Sequence, residues 1–548
     1  MKCMFKVLSV AMLVGSAAIV ADATTSVTPL LSFRSQGQDL ARQRVGMVGH
    51  EYKYFADTDE EVSLFQGAAS LTAEYTRSFN GDHITQDLFG CYYLNNCKLN
   101  ITGSAVADRA LTDLLADWFY LSPTYEGTIS FEPVVQNFNA DLNLYWGMDK
   151  WVKGMFFRVS APLTWTKFDL GACFKTTVSG IDTESTTFLH DSEDFFCSKG
   201  VTVTEGSVYN PLTCARFCGC NGCDENTKTR IADVHADFGW NFLLEEDYHL
   251  GLFVRGVVPT GNKAKGEWLF EPIVGNGGHF ELGGGLTGSA ILWRNQEENK
   301  HFGFYVDANV THLFNTKQNR VFDLKDKPLS RYMLAVNSDL VKAPLANLTS
   351  CKMDVNVAVQ ADVTAMFNYT CNKWSYDLGY NFWVRSCEKF DCNDDCDSCD
   401  SCNSCDSCNS CDDCCGACVI KNDNAAEWQL NNVDADIHAD TESVSSFVLT
   451  DTMIDYDGAK TKGMSHKVFG HINYAWTDSY ENYVPFLGLG GFAEFGINHD
   501  CCDDDCNSCN NSCNTCTDIC NSCDDDCSCC NNASLSQWGV WLKGGVSF

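Results

Sequence analysis

The chain has 548 residues, with 72 acidic against 38 basic side chains and a formal net charge of −34. That balance argues against nucleic acid as a partner, because holding phosphates takes a basic surface. Its 33 cysteines point to an oxidising compartment. From the start of the chain, Lys2 and Lys6 precede an apolar run over 7–20, and Ala21-Asp22-Ala23 follows as an A-x-A-like site. This is the pattern of a secretory signal peptide over 1–23, with cleavage after Ala23. Cys3 lies before the apolar run, so it is not placed as a lipid anchor. No other stretch offers the ~20 consecutive apolar residues of a membrane-crossing helix. Residues 24–61 read as an N-terminal lead-in, either periplasmic or an extra strand.

The first strand is expected over 62–79, with Leu71, Ala73, Tyr75 and Phe79 on one face. Between 80 and 125 the period turns helical: Ala107, Leu111, Leu114, Leu115 and Trp118 share a face, which predicts a short helix in a long loop. Alternation then dominates. Phe138, Ala140, Leu142, Leu144 and Trp146 alternate with Asn139, Asp141 and Asn143, and Phe157, Val159, Ala161, Leu163 and Trp165 form the return strand. A period of two is the side-chain repeat of a β-strand, and a short connection makes the pair a hairpin. A long polar loop over 171–230 carries six cysteines.

Four more hairpins follow, over 232–258, 280–310, 355–382 and 468–497, and a last strand runs from Trp538 to the terminus. The sum is about 12–14 strands over 62–548, and short turns alternate with long connections. That asymmetry is expected of an all-β, transmembrane, antiparallel up-and-down β-barrel.

The terminal strand places Trp538, Val540, Leu542, Val546 and Phe548 on one face and ends on an aromatic. It resembles the C-terminal signature of Gram-negative outer-membrane β-barrels, porin-like proteins whose last residue is usually Phe. The resemblance implies that these residues form a signal to the barrel-assembly machinery. It also implies outer-membrane lipid as the surroundings, and a C-terminus in the periplasm. Strand parity then places the long loops outside the cell.

Two of those loops are low-complexity inserts, 387–418 and 501–530. Cys396, Cys399, Cys402, Cys405, Cys408 and Cys411 recur every three residues, and Cys506, Cys509, Cys513 and Cys516 repeat the theme. Disulfide bonds suit an exported chain. Repeated CxxC also suits thiolate binding of zinc or copper(I), though the spacing assigns no ion. Apart from such a metal, no cofactor is implied. By architecture and composition the chain is similar to the chlamydial major outer-membrane protein, a cysteine-rich barrel that stiffens its envelope by cross-links.

If the apolar faces meet lipid, the alternate positions point inward, and Asp141, Arg158, Asp233, His235, Asp237, Arg255, Asp307, Asp362, Asp377 and Arg385 line the lumen. A polar, mixed-charge interior is what a water-filled pore needs. His235 with Asp233 and Asp237 is simply one strand face, and no residue set marks an enzyme. The expectation is an outer-membrane channel for passive diffusion of small hydrophilic solutes or ions. The alternative is a surface barrel whose cysteine loops cross-link the envelope, with homo-oligomers or disulfide-linked neighbours as its partners.

Overall fold

Alternating sequence builds the wall. The structure is a computed structural model, and it describes residues 27–47, 66–90, 92–181, 187–198, 209–218, 226–297, 299–391, 428–430, 437, 447–477, 483–497 and 531–548. The expected signal peptide, most of both cysteine-rich inserts and all ten cysteines named above lie outside the described residues.

Twelve long strands form the wall: β1 (Gln66–Ser78), β2 (Val134–Gly147), β3 (Met155–Asp169), β4 (Val234–Leu244), β5 (Tyr248–Val258), β6 (Glu281–Arg294), β7 (Lys300–Val321), β8 (Ser350–Cys371), β9 (Trp374–Arg385), β10 (Thr461–Ala475), β11 (Val484–Gly496) and β12 (Gln537–Ser547). Each pairs antiparallel with its neighbours in sequence. The terminal strand pairs with the first, Ala68 opposite Ser547 through Ser78 opposite Gln537, and closes the barrel. Closure leaves no sheet edge, so every wall strand finds its backbone partners within the protein.

The outer surface is apolar. Leu71, Leu142, Leu252, Val310, Leu378, Leu489 and Leu542 are exposed on it. Trp151, Trp240, Tyr248, Trp293, Trp374, Tyr376, Trp476 and Tyr483 crowd the end that carries the short turns. At the other end Phe79, Phe280, Phe495 and Trp538 are exposed, Phe79 and Phe495 meeting edge to face at 5.9 Å. An apolar band between two aromatic girdles is the outer surface of a membrane barrel. No helix among the described residues is long and apolar enough to cross a membrane.

The long connections gather over one mouth as a cap with its own apolar core, including Leu88, Phe89, Trp118, Phe119, Phe196, Phe217, Tyr332 and Leu345. The 171–230 loop is therefore less polar in structure than in composition: Phe195, Phe196, Leu212 and Phe217 are buried in this core. The helix expected around 107–118 does not form. Helix α2 lies earlier, at Gly81–Phe89, while Leu114–Leu115 is a short strand and Ala116–Phe119 a single 3-10 turn. Asp113 explains the difference. Its carboxylate accepts from Ala110 N at 3.3 Å and Thr102 Oγ1 at 3.0 Å, a local turn that competes with helix. Leu111 is left 81% exposed, off the shared face. Near 443–456, Phe447–Val448 joins a small separate sheet and not the wall.

Two outcomes follow. Leu252→Arg, on the outer face of β5, lowers unfolding stability in lipid vesicles by about 2–4 kcal/mol; an unchanged urea midpoint would contradict a lipid-facing belt. Burial in the cap pushes the Asp87 carboxyl up to about 8. Between its ordinary value near 4 and about 8, the folded state keeps a proton that the unfolded state has released, so stability falls as pH rises through that window. Asp87→Asn removes this slope, readable as a smaller difference in melting temperature between pH 5 and pH 9.

Candidate functional site

The chemistry-bearing part of the molecule is its lumen, which an inserted segment occupies. Residues 27–47 run down inside the barrel and carry one short helix, α1 (Leu40–Arg44), every residue of which is buried. Asp39 caps it, its side chain accepting from Arg42 N at 3.2 Å. At the other end Lys543 Nζ donates to the carbonyls of Arg42 and Gln43 at 2.8 and 2.9 Å, where a helix welcomes positive charge. Gly46 follows at φ +69 and donates its N–H to Asp377. A Cβ at Gly46 would sit 2.9 Å from His471 Nε2, so conformation and space both call for glycine there.

Arginines hold this segment to the wall in three tiers. Nearest the cap, Arg34 bridges Asp362 at 2.8 Å and Glu494 at 3.1 Å. In the middle, Arg42 bridges Glu74 at 2.7 Å and Asp141 at 2.9 Å. Across the lumen Arg44 lies 3.5 Å from Asp237 and 3.4 Å from Asp307, which also take Arg158. Two smaller ties complete the seating: Ser35 donates to Asp233 at 2.6 Å and Gln38 to Glu281 at 2.7 Å. Wall cations also reach back to the segment, Lys467 donating to Asp39 at 2.7 Å.

The charge arithmetic explains the seating. Around the segment the wall offers nine carboxylates: Glu74, Asp141, Asp233, Asp237, Glu281, Asp307, Asp362, Asp377 and Glu494. Against them stand five cations: Arg158, Arg255, Arg385, Lys467 and Lys543. The segment adds Arg34, Arg42 and Arg44 against Asp39. Carboxylates taken out of water need paired charges, and the inserted arginines supply them.

All ten inward positions expected from the sequence are buried inside the barrel. The structure draws Arg158, Asp237, Arg255 and Asp307 into one network, Arg255 meeting Asp237 at 2.7 and 2.8 Å. Asp141 and Asp362 take arginines of the inserted segment. Asp233 takes Ser35, Asp377 takes Gly46 N, and Arg385 reaches Ser32 Oγ at 3.0 Å. His235 stands beside Gly37, whose hypothetical Cβ would come within 2.8 Å of Nε2. Sequence reasoning missed Glu74, Glu281, Glu494, Lys467 and Lys543 on the wall, and the inserted arginines altogether. Lone charges at inward strand positions marked the first set. Arg34, Arg42 and Arg44 within eleven residues of an acidic chain marked the second. On the terminal strand Trp538, Val540 and Leu542 face outward, as its alternation requires, while Trp541 turns inward and donates to His471 Nδ1 at 3.0 Å.

Fold and interior together define a plugged β-barrel of the outer-membrane kind. No family model matches the chain, and it has no match among curated proteins. Among solved structures it is similar to an outer-membrane channel of Pseudomonas putida F1, at 7% identity, covering 90% of this chain and 98% of that one, with a TM-score of 0.31. It is also similar to the TodX monoaromatic hydrocarbon channel, at 8% identity over 88% and 90% of the two chains, TM-score 0.27. The transport unit of the autotransporter AIDA-I from Escherichia coli gives 8% identity over 92% and 95%, TM-score 0.25.

Replacing Arg42 by Ala leaves Glu74 and Asp141 buried without their cation. Breaking such a pair costs about 3–5 kcal/mol. The expected result is faster proteolysis of the 27–47 segment in folded protein; cleavage at the wild-type rate would show that this tier does not hold it.

Proposed function

We propose that this protein is an outer-membrane channel for small hydrophilic solutes and ions, closed in this conformation by residues 27–47. The observation that carries the reading is the plug itself, a segment that forms no wall strand among the described residues and is held inside a closed barrel by side-chain contacts. A twelve-stranded barrel lies between the eight strands that side chains can fill and the sixteen to eighteen of open porins. Displacing one inserted segment from such a lumen opens a narrow path.

The uncovered wall, with nine carboxylates against five cations, favours cations, since fixed charge in a low-dielectric constriction sets ion preference. The apolar belt and the aromatic girdles support residence in the outer membrane. The long connections, including those that carry the cysteine-dense segments, share the end opposite the termini of the wall, and we place that end outside the cell. Oxidising surroundings there favour disulfides of the cysteine-dense segments, within the loops or to neighbours, which a non-reducing gel of intact cells reads directly.

The test of the channel is planar-bilayer recording in a potassium chloride gradient. Wild type gives rare openings with a cation-selective reversal potential, and Arg42→Ala opens severalfold more often. Inserted, folded protein that stays silent in both forms, or prefers chloride, is incompatible with this reading.

A further inference from the structure

At the tier nearest the cap, every hydrogen bond from Arg34 to the wall comes from its two terminal nitrogens. Nη1 donates to Asn381 Oδ1 at 2.9 Å and to Glu494 Oε1 at 3.1 Å, and Nη2 donates to Asp362 Oδ2 at 2.8 Å. Nε turns back instead to the segment's own Gln38 carbonyl, at 2.6 Å. The wall therefore grips the end of a guanidinium group, and the remainder of the side chain joins that group to the segment.

The wall also orients these acceptors through its own hydrogen bonds. Asn381 Nδ2 donates to Asp362 Oδ1 and to Thr364 Oγ1, the latter at 2.8 Å, which turns Asn381 Oδ1 toward Arg34. Ser465 donates to Glu494 Oε1 at 2.7 Å, and Gln537 donates to Glu494 Oε2 at 2.9 Å. Acceptors fixed in this way make a preorganised site. Trp383 adds an aromatic ring whose centroid lies 5.7 Å from the guanidinium carbon.

The charges leave a place for one cation. Lys467 lies 3.3 Å from Glu494, whereas Asp362 has no ion-pair partner but Arg34 among the described residues. Arg385, 5.9 Å from the same Trp383 ring, forms no ion pair with either carboxylate among the described residues. With Arg34 gone, two buried carboxylates face one wall lysine. The shape of the site narrows the class of cation. Its acceptors are served by two coplanar nitrogens, and an ammonium offers one nitrogen and no flat face to lay beside the indole.

We propose that this part of the wall, built by β8, β9 and β11, is a binding site for free guanidinium compounds, and that Arg34 fills it as a tethered ligand in the closed state. The proposal rests on the channel reading for one point, that the segment can vacate the site; guanidinium solutes are then the class the lumen selects.

Arg34→Ala vacates the site in the intact chain, and binding to it can be read without conduction. Saturation-transfer NMR in detergent micelles, with methylguanidinium as the probe, is expected to show saturable transfer to the folded variant and none to wild type, where Arg34 holds the place. Methylammonium binds the variant about tenfold more weakly, or worse, for want of the second nitrogen. Adding Asp362→Asn to Arg34→Ala abolishes the transfer. Arg34→Lys keeps a cation for the fold and gives a second reading: protease cleaves 27–47 faster than in wild type, because one nitrogen cannot serve both carboxylates. A folded Arg34→Ala protein without saturable transfer overturns the proposal. So does equal affinity for methylammonium, transfer that survives Asp362→Asn, or wild-type resistance of the segment in Arg34→Lys. Binding in the variant together with a silent bilayer would keep the site and remove the channel.

Discussion

The structure depends on one constraint: a closed barrel has an inside, and this inside is lined with carboxylates. A lone ionised carboxylate cannot remain in a space that water has largely left unless a cation joins it. The wall's own lysines and arginines are too few. The inserted segment brings three arginines, each shared between carboxylates on different strands, as Arg34 is between β8 and β11. Paired buried charges add little net stability over apolar packing, but they fix position strongly because a shifted arginine leaves carboxylates uncompensated. Charge thus sets where the plug sits, and the short capped helix sets its shape.

The outside obeys the opposite rule. Because strand side chains alternate, the residues that place Asp141 inward place Leu142 outward, and the same holds for Asp377 and Leu378. The apolar belt and the ionic interior are therefore two readings of one pattern. The cap is a third environment. It closes one mouth with a conventional apolar core, and the plug begins beneath it: Thr28 N donates to the Asp87 carbonyl of α2 at 3.0 Å.

Much of the wall was legible in the sequence because alternation leaves a strong mark over eleven or more residues. The expected strand over 62–79 is observed at 66–78, and the turn near 371–373 lies at 372–373. The inward positions were legible for the same reason. What they meet was not. A period of two says which way Asp141 points, and says nothing of Arg42, ninety-nine residues earlier. Residues 27–47 pair with no wall strand and carry too short a helix to leave a periodic mark. Leu111 misled the helical reading because its spacing fits a helix face that Asp113 breaks by local hydrogen bonding.

The most direct test of the plugged barrel is hydrogen–deuterium exchange of the full chain in lipid nanodiscs, followed over 27–47. Backbone amides such as Gln43 N, bonded to Asp39 O at 3.0 Å, and Val45 N, bonded to Ala41 O at 2.9 Å, lie deep in the lumen. The account predicts protection of these amides approaching that of the wall strands, and its loss when Arg42 is replaced by Ala. Exchange of 27–47 at the rate of an unstructured peptide in the wild-type protein would contradict it, and the lumen would then be open.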